Sequence, residues 1–149
     1  MATLAELWTE LQMSFEPPLP DLQPHGTHDV AVDIPASALL PLITTLRERG
    51  ALEHLSAITA VYRDGVLWLL YHLWVGTGLT LRICPGAEEN ATTPVPSLRE
   101  FLSIADWYER EIHDLYGLGF LGHEHPEPLL FSAAEGDLPP MVPKERDRK

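Results

Sequence analysis

The stretch "EREIHDLYGLGFLGHEHPEPLL", residues 109–130, gathers most of the side chains in this chain that could do chemistry. Gly117, Gly119 and Gly122 spell the G-x-G-x-x-G of a phosphate-cradling turn. His113, His123 and His125, together with Glu111 or Asp114, have the donor types of a metal centre. Glu109, Arg110, Glu111 and Asp114 could act as general acid and base groups.

The glycines fail on context. A dinucleotide turn needs a strand before it and a helix after it, so that the helix N-terminus faces the pyrophosphate. Here a helical pattern precedes and "HEHPEP" follows, so the glycines are expected to cap a helix and make a tight turn. His123 and His125 lie two positions apart, and Pro126 restricts His125 to extended geometry. That is not the helical histidine pair of zinc hydrolases, so no metal is expected. A stand-alone metal-dependent enzyme using His113, His123 and His125 is the alternative from a different functional class. Glu109 and Glu111 point to different sides of a helix, and Arg110 sits one turn from both Asp106 and Asp114, which stabilises a helix. No Ser/His/Asp or Cys/His nucleophile pattern accompanies them, and no residue is assigned as catalytic.

Several elements must position this stretch. Leu4, Leu7, Trp8 and Leu11 predict an amphipathic helix over about 2–13, and "EPPLPDLQPHG" an extended connector. Val30, Val32 and Ile34 alternate with Asp29, Ala31 and Asp33, as in a half-buried strand. Leu39, Leu42, Ile43 and Leu46 predict a second helix ending at Gly50, with Pro41 confined to its first turn or so. "LEHLSAITAVY" and "VLWLLYHLW" flank Arg63-Asp64-Gly65, a hairpin signal, and "LTLRIC" follows after a short turn. The middle strand is apolar on both faces, so something is expected to cover its second face. Ser97 and Glu100 read as a capping box ahead of a helical stretch through Phe101 and a helix over about 105–116. On that helix Ala105, Tyr108, Ile112, Leu115 and Tyr116 form the face assigned to the sheet. Trp107 lies on the far side, where the returning segment 120–131 is expected to cover it. Arg110 should then be held by Asp106, Asp114 or backbone carbonyls of the return. The fold class is α+β, two layers, with helices on a four- or five-stranded, mostly antiparallel sheet and an irregular C-terminal segment.

The length fits one domain, 1–149, with the helix and proline-rich connector over 1–26 and an irregular tail over 132–149. The single cysteine, Cys84, excludes an intramolecular disulfide and any iron–sulfur cluster held by this chain alone. Ten basic against 22 acidic residues give −12. The last six residues hold four basic and two acidic groups, leaving six against twenty, or −14, on residues 1–143. Such a body repels nucleic acid and anionic lipid. With no basic leader, and an apolar run ("VLWLLYHLWV") about half the length of a membrane-spanning helix, the expected place is a reducing cytoplasm.

"ADWYEREIHDLYGLGFLGH" resembles the signature of the 30-kilodalton subunit family of proton-pumping NADH:quinone oxidoreductase, respiratory complex I. That family carries Glu-Arg-Glu, two residues, an acid, two apolar residues, six residues, then His. The matching positions are Glu109, Arg110, Glu111, Asp114, Leu115, Tyr116 and His123. The likeness extends through "VLWLLYHL", "LTLRI" and "VPSL", over roughly 50–130. Glu127 stands where the family usually has a basic residue or proline, and its later Pro-Leu-Arg-Lys-Asp segment is reduced to "PPMVPKERD". Related subunits occur in membrane-bound nickel–iron hydrogenases and formate hydrogenlyase complexes. The resemblance implies a non-catalytic scaffold of the peripheral arm on the cytoplasmic face, attached to the membrane only through partners. It implies no cofactor in this chain, since flavin, iron–sulfur clusters and quinone belong to partner subunits. The partners implied are the quinone-site subunit and the iron–sulfur subunits, and the signature residues become structural and docking elements.

Overall fold

The two-residue turn Asp64-Gly65 organises the sheet. Both residues have positive φ, +52° and +78°, the twist that closes a tight antiparallel hairpin. It joins β3 (His54–Arg63) to β4 (Val66–Trp74), and β4 pairs in turn with β5 (Gly78–Ile83). The computed structural model describes residues 3–85, 95–123, 127–130 and 139–142. Strand β2 (Asp29–Asp33) lies parallel to β5, and β1 (Gln23–His25) adds an antiparallel edge, giving the order β1-β2-β5-β4-β3. The connector expected over 16–26 therefore ends as an edge strand. A second, parallel ladder of two residues each joins β6 (Val95–Pro96) to β7 (Phe120–Leu121). The fold is α+β, as the sequence predicts.

Register sorts the side chains. Ile58, Tyr71 and Leu81 stand in one row with Val32, and Ala60, Leu69 and Ile83 in the next. All are buried, and they share one core with Trp8 and Leu11 of α1 (Leu4–Gln12) and Leu39, Leu42, Ile43 and Leu46 of α2 (Leu39–Glu48). Pro41 falls in the first turn of α2, where its missing N–H is harmless. Thr3 and Glu6 close a reciprocal capping box on α1.

The cover expected over the other face does not come from the described helices. Val66, Trp68 and Leu70 stand outside the core cluster and are half-buried. None of the described helices lies over them; they line a shallow groove with Val61, Arg63 and Arg82. Further along that face a polar ladder runs from Thr59 through His72 to Thr80, at 3.3 and 3.2 Å, beside the Arg82–Asp33 ion pair at 2.6 Å. Polar cross-strand pairs make this face tolerable to water despite its apolar positions.

Candidate functional site

Helix α3 (Ala105–Tyr116) carries the signature. Ala105 and Ile112 are buried against the sheet, and the phenols of Tyr108 and Tyr116 donate to Ser56 O and Ala60 O, both at 2.8 Å, fixing the helix along β3. Gly117 ends it at φ +69°, where a Cβ would also come within 2.9 Å of Pro139 Cγ. His113 Nδ1 donates to Leu118 O at 3.0 Å, and Leu115 O accepts from Met141 N at 2.9 Å, so carbonyls around this end are satisfied.

Glu109 is fully buried. Its Oε1 accepts from Leu98 N at 2.7 Å; its Oε2 accepts from the Ser97 hydroxyl and lies 3.0 Å from His123 Nδ1. The other ring nitrogen of His123, itself 4% exposed, is 3.2 Å from Asp106 Oδ1. The His123 ring thus lies between two carboxylates, Glu109 at one nitrogen and Asp106 at the other. Arg110 Nε donates to Glu127 O at 2.8 Å, with Asp106 at 3.6 Å. Asp114 Oδ2 accepts from both Leu129 N and Leu130 N at 2.7 Å. Helix α3 thus ties together the β6 segment, the turn after Gly117 and the returning chain.

Two expectations change. Ser97 does not cap a helix: its hydroxyl is turned to Glu109 and accepts from Arg99 N, while Glu100 is exposed. Trp107 is 57% exposed, its ring stacked with the Arg110 guanidinium at 5.6 Å. The return reaches α3 through backbone groups at Arg110 and Asp114, and that grip leaves the indole bare. The expected hold on Arg110 by carbonyls of the return is found. Glu109, which the sequence assigns to neither face, is a core residue. A wheel signal existed, since Glu109 is four residues after Ala105 and three before Ile112, inside the buried arc.

Tyr71, opposite this cluster on β4, is buried, and its hydroxyl has no partner among the described residues. Burial, reinforced by the Glu109 charge, pushes its phenol far above the usual tyrosine range. The Ser97 hydroxyl donates to the Glu109 carboxylate, and both side chains are buried. Gly117, Gly119 and Gly122 lie after a helix and around β7, which is no cradle for phosphate. Among the described residues no three His, Cys, Asp or Glu side chains are grouped to hold a metal ion, and His125 falls outside those residues.

The family model for "Respiratory-chain NADH dehydrogenase, 30 Kd subunit" matches residues 32–143. The C-type subunit of NADH-quinone oxidoreductase from Rhodopseudomonas palustris (strain BisB18) is 33% identical over 110 residues, 68% of this chain and 53% of that protein. The mitochondrial NADH-ubiquinone oxidoreductase 30.4 kDa subunit of Neurospora crassa is 33% identical over 101 residues, 64% of this chain and 35% of its own length. This chain therefore spans about half or less of the relatives it matches. Among solved structures, a trypsin-resistant fragment of Nqo5 superposes with a TM-score of 0.61 at 19% identity, covering 78% of this chain and 96% of that one. A chain of the membrane-bound sulfane sulfur reductase, an archaeal respiratory membrane complex, gives 0.62 at 20% identity, covering 82% and 71%. At these identities the likeness is one of fold.

Proposed function

Because the chain belongs to the 30 Kd subunit family of respiratory-chain NADH dehydrogenase, we propose that it is a non-catalytic scaffold in the peripheral arm of a proton-pumping NADH:quinone oxidoreductase. It would pack against the quinone-site and iron–sulfur subunits. One observation carries this reading: Glu109, Arg110, Asp114 and His123 all bind the chain's own backbone or one another. Side chains spent in this way hold a shape and have no free geometry for turnover. Flavin, iron–sulfur clusters and quinone then belong to partners, which suits a chain with one cysteine. None of the described helices is long and apolar enough to cross a membrane. Attachment on the cytoplasmic face, through partners, is part of the proposal.

A second reading, the equivalent subunit of a membrane-bound nickel–iron hydrogenase or formate hydrogenlyase complex, is favoured by Glu127 and by "PPMVPKERD". Affinity purification of the tagged chain from detergent-solubilised native membranes separates the two. Co-purifying flavin- and iron–sulfur-bearing NADH dehydrogenase subunits are expected. Hydrogenase subunits in their place would select the second reading, and recovery of the chain alone would overturn both.

A further inference from the structure

Of the charged signature residues, Glu111 is left over. Glu109, Arg110, Asp114 and His123 all have internal partners, whereas no hydrogen bond or ion pair engages Glu111 among the described residues. After burial and Tyr62, the Glu111 charge is the third cause that raises the Tyr116 pKa. Glu111 stands four residues after Trp107 and seven after Ile104, so the three form one stripe along the outward side of α3. Trp107 is 57% and Ile104 47% exposed, and Leu130, also half exposed, is tethered beside the stripe through Asp114. Arg110 lies under the indole but donates its Nε to Glu127 O, so it does not serve Glu111.

We propose that the stripe Ile104–Trp107–Glu111 is the docking surface for a basic face of another polypeptide in the assembly. This rests on the scaffold function proposed for the chain and names the face and the chemistry. An arginine or lysine of the partner would meet Glu111, with an apolar side chain laid over Trp107. Charge complementarity selects that occupant. The chain carries −12, so a second copy would set −12 against −12 and, across a two-fold axis, Glu111 against Glu111. Nucleic acid and anionic lipid are repelled for the same reason. Tryptophan is the side chain most often found at the energetic centre of such contacts.

The test uses the tagged full chain in its native membranes. Wild type, Trp107→Ser, Glu111→Lys and Glu111→Asp are compared, with Trp74→Ser as an exposed tryptophan away from α3. Wild type, Glu111→Asp and Trp74→Ser should retain the co-purifying oxidoreductase subunits. Trp107→Ser and Glu111→Lys should lose them by about tenfold or more, while each purified chain melts as the wild type does. Retention by both variants overturns the docking stripe and leaves the scaffold reading intact. A photo-crosslink from position 107 to a second copy of this chain also overturns it. A wild type that recovers no oxidoreductase subunit overturns the scaffold reading, and the stripe with it.

Discussion

Glu109 and Tyr71 are both fully buried polar groups on facing elements, yet their removal should have opposite consequences. Glu109 has exchanged water for Leu98 N, the Ser97 hydroxyl and His123. Truncation leaves three donors without an acceptor, so Glu109→Ala should destabilise the chain by about 3–5 kcal/mol in urea unfolding. Tyr71 Oη has no such partner among the described residues, so Tyr71→Phe should stay within about 1 kcal/mol of wild type or gain slightly. Equal losses would mean that Tyr71 has a partner of its own. The sequence shows little of this contrast. Glutamate in a helix is ordinarily a solvated charge, and only its place between Ala105 and Ile112 marks it as inward. Ser97 misleads in the same way: a capping box is a local signal, and a buried carboxylate twelve residues away outcompetes it.

Among the elements, the hairpin is legible because Asp64-Gly65 sits between alternating runs, and α2 because its stripe ends at Gly50. The β6–β7 ladder is not, since two residues a side have no periodicity to read. A tryptophan ring seeks burial, which is why the sequence suggests a cover for Trp107; the return instead grips α3 by backbone hydrogen bonds and leaves the indole free. The outer face of β3–β5 offers a further test. Burial first, and then His25, lower the His72 pKa below 6.5 within the Thr59–His72–Thr80 ladder. The unfolded chain therefore binds more protons between that lowered value and 6.5. Stability from this ladder is full above 6.5 and is lost as pH falls through the folded value. Proton NMR should place the His72 midpoint below 6.5, and His72→Gln should flatten this part of the acid limb. A midpoint at or above 6.5 would remove the ladder as a source of pH dependence.

For the whole molecule, the grip of α3 has a meaning in terms of cooperativity. Val95–Leu98, α3 and Leu118–His123 are three successive segments that share one buried carboxylate. No one of them can leave without stranding a carboxylate sealed from solvent, so they should open as one unit and not as three. Hydrogen exchange would register this. The Leu98 amide, bonded to Glu109, and the His123 amide, bonded to Phe120 O, should show matching opening free energies. Glu109→Ala should lower both together and leave the β3–β4 hairpin amides protected as before. Independent opening at the two sites would mean that the segments are merely neighbours. A shared opening would mean that a partner binding any one segment holds the other two closed, so that local order here is transmitted without movement.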